Sequence, residues 1–247
     1  MQSKWVWIRS GSPNISLFLR MMRKAPTVAI LTPLITLSYL AAKTKSIKLA
    51  TGALILPYRS PLVTAKLVAT LQELAEGRLV LGVGIGWMRS EFKALGLNMR
   101  RRASDAEAVL EFLHKAFDND VVELNEQQFL FRPRPKRPAI LIGGAPPHAI
   151  ERAVKYGDGW LPMQLSPTEL KPWVEHYRLK VGEAGNDEPE IVAFTTLPTD
   201  DEGGCRDFYH AYQQAGATTL VHSQRYDEAV ELMDTMQVLA SLTEQAL

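Results

Sequence analysis

Short apolar runs alternate with longer amphipathic stretches along almost the whole chain, and that rhythm constrains the fold more than any single motif. Residues 4–8 (KWVWI), 47–56 (IKLATGALIL), 78–83 (RLVLGV), 138–142 (PAILI), 159–163 (GWLPM), 191–196 and 218–222 (TTLVH) read as strands. Helical spacing of apolar residues falls at 33–44, 61–74, 103–117, 148–156, 167–184, 205–215 and 226–242. A strand followed by a helix and then another strand produces a parallel sheet with helices packed outside it. The count is seven parallel strands, one fewer than a closed (β/α)₈ barrel. Residues 118–137 are polar, basic and Pro-rich, and read as a connector or small hairpin.

The 247 residues suit one α/β barrel, a single domain over 1–247. With 46% hydrophobic and 22% charged residues, the chain can bury a large core without covalent staples. A formal net charge of +1 gives no general case for nucleic acid or an anionic membrane as partner. Cys205 is the single cysteine, so no intrachain disulfide is available, which suits a reducing cytoplasm. Residues 25–42 carry no charge, yet they include Pro26 and Pro33 and are short for a membrane span. From Pro33 they read as a buried amphipathic helix.

Candidate site residues cluster where strands end, which in βα barrels is the active-site face. Gly82, Gly84 and Gly86 recur at every second position, so alternation puts them on one face of a strand. That pattern suits tight barrel packing or the approach of a flat ligand, and it lacks dinucleotide-fingerprint spacing. The turn Gly143-Gly144-Ala145-Pro146 precedes a helix, and free N–H groups there suit an anion or an ordinary tight turn. Thr51-Gly52-Ala53-Leu54 places a glycine inside a strand, as at a bulge or a crowded barrel wall. Trp5 and Trp7 share a strand face, either as core filling or as the lining of a ring-binding cavity, and Arg9 emerges at the strand end. The five histidines are scattered, with His148 beside the proposed anion site and His222 at a strand end, a candidate for proton transfer. No metal-ligand spacing, GxSxG elbow or Walker A run occurs, so no metal is expected and a cofactor is expected to carry the chemistry.

Four stretches carry a resemblance to the luciferase-like monooxygenase superfamily, and in particular to its coenzyme F420-dependent branch. They are KWVWIR (4–9), residues 47–96 from IKLATGALILPYRSP through GVGIGWMRSEFKALG, PAILIGGAPPHAIERAVKYGDGWLP (138–162) and AGATTLV (215–221). The resemblance implies a (β/α)₈ barrel, commonly dimeric, with F420 or alternatively FMN at its C-terminal mouth and a small-molecule substrate. It implies a non-prolyl cis peptide between Ala53 and Leu54 behind the cofactor ring. It further implies a phosphate held by backbone N–H groups of Gly143, Gly144 and Ala145, Gly84 and Gly86 beside the cofactor, and Trp7 and Arg9 as ring-proximal, candidate catalytic residues. Asp158 in YGDGW is scaffold on the same basis. Arg100, Arg101 and Arg102 either meet an anionic cofactor tail or form a solvated basic loop.

Two departures stand out. The family's β1–α1 unit is missing ahead of KWVWIR, so the expected fold is a TIM barrel lacking its first unit, with unpaired edges on its first and last strands. The expected cause is a truncation or a start placed 30–40 residues late. Ile8 also stands where members often carry an acidic residue. The expected activity is hydride transfer with reduced F420. The rivals are an FMN-dependent monooxygenase, a non-catalytic barrel subunit and a barrel acting on a sugar phosphate without redox chemistry.

Overall fold

A computed structural model describes residues 6–9, 15–19, 32–224, 226 and 228–244; for 6–9 and 15–19 the description is of the backbone. In chain order the first half holds β1 (Val6–Arg9), β2 (Ile15–Leu19), α1 (Pro33–Lys43), β3 (Lys48–Ile55), α2 (Pro61–Leu74), β4 (Leu79–Gly84), α3 (Arg89–Ala94) and α4 (Arg102–Asp118). The second half holds β5 (Val121–Leu124), β6 (Gln127–Leu130), β7 (Ala139–Gly143), α5 (His148–Tyr156), β8 (Gly159–Leu161), α6 (Pro167–Glu183), β9 (Glu190–Thr195), α7 (Glu202–Gln214), β10 (Thr219–Ser223) and α8 (Ala229–Glu244). Helix starts follow local chemistry. α1, α2 and α6 each begin with proline in the first turn, where no N–H is needed. Ser166 and Glu169 form a reciprocal capping box on α6.

Six strands run parallel in a curled sheet, in the order β3-β4-β7-β8-β9-β10. Side chains alternate across it. Ala50, Val80, Leu141, Leu161, Val192, Phe194 and Val221 form an inner cluster within the curl. Leu49, Leu54, Leu81, Ile142, Ile191 and Leu220 point the other way, into the larger core beneath the helices. A fully buried Leu or Ile there contributes about 1.5–3 kcal/mol relative to exposure. The connector does form a hairpin, with β5 and β6 antiparallel.

The expected count of seven parallel strands gives way to a different closure. β1 runs antiparallel to β3, with Val6 opposite Thr51 and Arg9 opposite Lys48. β2, which carried no clear sequence signal, pairs antiparallel with β1 and parallel with β10. The strand ring therefore closes as β1-β2-β10-β9-β8-β7-β4-β3, and the unpaired first and last edges expected from the sequence do not occur among the described strands. The physical reason is connection length. Only five residues separate Arg9 from Ile15, whereas a parallel crossover needs about a dozen.

Candidate functional site

The C-terminal ends of β3, β4, β7 and β8 surround a cavity of about 490 Å³, within the range of about 300–1,000 Å³ typical of ligand pockets. Its floor is made by a bulge. Thr51 pairs with Leu81 and Leu54 with Val83, so two residues of β3, Gly52 and Ala53, oppose the single Gly82 of β4. The extra residue reverses the alternation. Ala50 faces the interior of the curl, whereas beyond the bulge Ala53 and Ile55 face the cavity. The close approach also explains Gly82: a Cβ there would sit 2.0 Å from the Thr51 carbonyl oxygen. The Thr51 hydroxyl donates to the Gly82 carbonyl at 2.7 Å and locks the pair.

Ala53, Gly84 and Gly143 converge on this floor. A Cβ built on Gly84 would lie 3.5 Å from the Ala53 Cβ and 3.5 Å from Ile55 Cδ1, and one built on Gly143 would lie 3.6 Å from the Ala53 Cβ. Small residues thus leave a bare wall that side chains would otherwise fill. Gly86 turns the chain out of β4 with φ +79°, and a Cβ there would meet Ile55 Cγ2 at 2.9 Å. Trp87 follows it, 68% exposed, and lines the cavity, as does Met163 after β8.

One end of the cavity is built for an anion. The Gly144 N–H reaches the Leu161 carbonyl at 3.4 Å, while the Ala145 N–H meets no acceptor among the described residues. Pro146 and Pro147 follow, and Pro147 precedes α5 with no side-chain cap, so the positive end of that helix opens here. Trp160, fully buried, donates its indole N–H to the Gly144 carbonyl at 3.0 Å and fixes the turn from behind. Arg102, and His148 and Arg152 on α5, also line the cavity. The Arg152 side chain is 11% exposed, its nearest ion partner is Glu107 at 3.8 Å, and its Nε is buried without a hydrogen-bond partner. A buried, under-partnered cation beside open amides is a chemically specific arrangement.

The structure brings together Ala53, Gly84, Gly86, Gly143, Gly144 and Ala145 around one cavity. Leu54 is a correction: it is fully buried in the core beneath the helices and does not line the cavity. The cis peptide lies at Gly52–Ala53, one position earlier than the Ala53–Leu54 bond implied by the resemblance, and the bulge phase turns Leu54 away. The backbone of Trp7 and Arg9 lies in β1, while their side chains, like the whole of Trp5, lie outside the described residues. Of the arginine triplet only Arg102 lines the cavity; Arg101 pairs with Asp105 on the surface.

His222 does not line the cavity either. It is fully buried, with Nδ1 accepting from the Leu197 N–H at 3.1 Å and Nε2 bonded to the Gln224 side chain at 3.0 Å. Burial lowers its pKa, against the hydrogen bond to Gln224, and keeps it neutral. Asp158 is scaffold, as expected. Its carboxylate takes two hydrogen bonds from Arg137, at 2.7 and 2.8 Å, and one from the Ile140 N–H at 2.7 Å. Burial works against its ionisation, but these bonds prevail and hold it below the usual carboxylate range. No cluster of His, Cys, Asp and Glu able to hold a metal occurs among the described residues. Arg152 went unnoticed in the sequence; its only signal was the i+4 spacing from His148, which places both on one face of α5.

Comparison with known proteins agrees with this geometry. The family model for luciferase-like monooxygenases matches residues 19–242. The chain belongs to that family. It is 27% identical over 173 residues to 5,10-methylenetetrahydromethanopterin reductase of Archaeoglobus fulgidus, covering 67% of this chain and 52% of that protein. The chain thus spans about half the length of that curated relative. Among solved structures, an F420-dependent secondary alcohol dehydrogenase in complex with an F420-acetone adduct superposes with a TM-score of 0.75 at 13% identity, covering 88% of this chain and 86% of that one. The oxygenating constituent of 3,6-diketocamphane monooxygenase from Pseudomonas putida, a type II Baeyer-Villiger monooxygenase in complex with FMN, gives 0.59 at 19% identity, covering 74% and 58%. Likeness at these identities speaks to the fold, an α/β sheet curled as in TIM-barrel members of the family.

Proposed function

We propose that this chain is an oxidoreductase that binds F420 in the cavity at the strand ends and transfers hydride to or from a small organic substrate. The observation that carries the reading is the joining of two unlike surfaces in one cavity. A wall of small residues, Ala53, Gly84 and Gly143, suits a flat ring, and an anion end at Ala145, the α5 N-terminus, Arg102 and Arg152 suits a phosphate. The unpartnered Arg152 Nε and the bare wall are both features that such a group would complete.

Reduced F420 supplies a hydride when bound. The residues of this chain bind and orient. The bulge turns the Ala53 methyl to the cavity, where it would meet one face of the ring. Trp160 holds the Gly144 carbonyl, which would keep the Ala145 amide available to the cofactor phosphate, and Arg152 would neutralise part of its charge. Among the described residues lining the cavity, His148 sits at the start of α5. Trp7 and Arg9 on β1 remain the proposed catalytic residues.

FMN is the second reading, favoured by the structural likeness to an FMN-bound monooxygenase and by the shared flat ring and phosphate. Titration of the purified protein with F420 and with FMN, followed by fluorescence, tests both. Binding of neither at tens of micromolar overturns the redox reading and leaves a non-catalytic barrel. The same proposal includes a homodimer. α1 and α2 pack side by side and expose Ile35, Tyr39, Val63, Leu67 and Leu74, an apolar face that a second copy would cover.

A further inference from the structure

The parallel strands carry a second cavity at their other ends. Arg137 precedes β7, Asp158 precedes β8 and Pro189 precedes β9, and with the C-terminus of α5 and part of α6 they surround a space of about 400 Å³. That volume falls in the range of ligand pockets. Its wall includes Tyr177 of α6, a completely buried side chain whose hydroxyl has no hydrogen-bond partner among the described residues. The ring is set edge-on against Trp160, with centroids 6.3 Å apart. Burial, and secondarily the Asp158 carboxylate on the same cavity wall, keep the phenolic proton in place. The hydroxyl is therefore an unused donor beside Asp158. A buried donor without a partner is costly, and native chains leave few of them.

The ionised groups around this cavity are largely matched within the protein. Arg137 and Asp158 hold each other through two hydrogen bonds, Glu188 pairs with Arg178 at 2.7 Å, and Lys155 lies 3.7 Å from Glu111. Asp187 is exposed, so water screens any pairing it makes with a cation. The remaining polar atoms are mainly acceptors. His114 donates its Nε2–H to the Tyr156 carbonyl at 3.0 Å, which leaves Nδ1 as an acceptor in the neutral ring. Asn186 gives an amide N–H to the Val154 carbonyl at 3.0 Å, and its side-chain oxygen meets no donor among the described residues. We propose that this cavity is a second ligand site and that it takes a neutral, hydroxyl-rich molecule, a monosaccharide or similar polyol. A hydroxyl accepts from the Tyr177 O–H and donates to the surrounding acceptors at once. A phosphate would set acceptors against acceptors, and an ammonium would leave the Tyr177 proton unpaired. The site is independent of the cofactor reading, because none of its lining residues also lines the cavity at the C-terminal strand ends.

Equilibrium dialysis of the full chain against labelled glucose, ribose and inositol tests this, with inorganic phosphate and putrescine as ionic competitors and thermal unfolding alongside. The expected result is one-to-one binding of at least one of the three polyols at millimolar concentration or below, displaced by neither ion. Tyr177→Phe keeps the ring against Trp160 and removes the hydroxyl. It should bind the same polyol about tenfold more weakly, the effect of roughly one hydrogen bond. Without polyol it should melt no lower than the unaltered protein, because the group removed had no partner. Binding of none of the three, displacement by phosphate or putrescine, or unchanged affinity in Tyr177→Phe would each overturn the proposal. So would a polyol-free Tyr177→Phe protein that melts several degrees lower, since the hydroxyl would then serve the fold through a bound water.

Discussion

Replacing Arg152 with methionine separates a ligand-binding cation from a structural one. Its guanidinium is nearly buried, sits 3.8 Å from the Glu107 carboxylate and leaves Nε unpartnered. In the empty protein this group gains little. The Glu107 pair is loose, and a buried hydrogen-bonding group without a partner costs about 1–3 kcal/mol. Methionine keeps the apolar stem in its packing, and Glu107, 37% exposed, remains hydrated. Stability should therefore stay within about 1 kcal/mol, a shift of no more than about 2–4 °C in melting temperature for a chain of this size. Cofactor binding should suffer much more. One charge-assisted hydrogen bond to a phosphate contributes about 1.5–3 kcal/mol, so Arg152→Met should weaken F420 or FMN binding by about 10- to 150-fold. The assay is a fluorescence titration paired with thermal unfolding of both proteins. A variant that melts several degrees lower while binding the cofactor with unchanged affinity would refute the reasoning and make Arg152 a structural residue.

Trp160→Phe removes the indole donor to Gly144 and should lower stability by about 0.5–1.5 kcal/mol for the hydrogen bond alone, with a several-fold loss of cofactor affinity in the same titration; unchanged affinity would show that the turn holds itself. Asp158 has a lowered folded-state pKa, so its contribution is complete above the unfolded value of about 3.9 and is lost as pH falls through the folded value. Asp158→Asn should therefore lower stability at neutral pH and flatten the loss of melting temperature below about pH 4, read by scanning at stepped pH. Leu67→Glu on the exposed face of α2 should shift the sedimentation coefficient from dimer to monomer without lowering the melting temperature.

Much of this was legible in the residues, for identifiable reasons. α2 and α5 start and stop where their prolines, glycines and apolar spacing place them. The cavity wall announced itself through small residues at strand ends, because a glycine on an inward position is visible as a missing side chain. What could not be read was phase and direction. A bulge one residue earlier than implied exchanged the faces of Ala53 and Leu54, and alternation alone carries no marker for where it resets. Strand β1 was recognisable as a strand, but its antiparallel direction follows from its short connection to β2, which has no strong pattern of its own. Arg152 carried no sign of burial in the sequence, because α4, whose Glu107 lies 3.8 Å from it, is distant along the chain.

The central claim is that a flat, phosphate-bearing redox cofactor lies against Ala53, Gly84 and Gly143. Gly84→Leu tests it most directly. A Cβ at Gly84 meets Ala53 and Ile55 at ordinary contact distance, whereas one at Gly143 would press to 2.9 Å of the Val83 carbonyl oxygen. The leucine therefore fits the fold and fills the space of the ring. Titration with F420 and FMN should show binding of at least one to the unaltered protein, and none to Gly84→Leu at the same melting temperature. Equal binding by a fully folded Gly84→Leu protein would contradict the account.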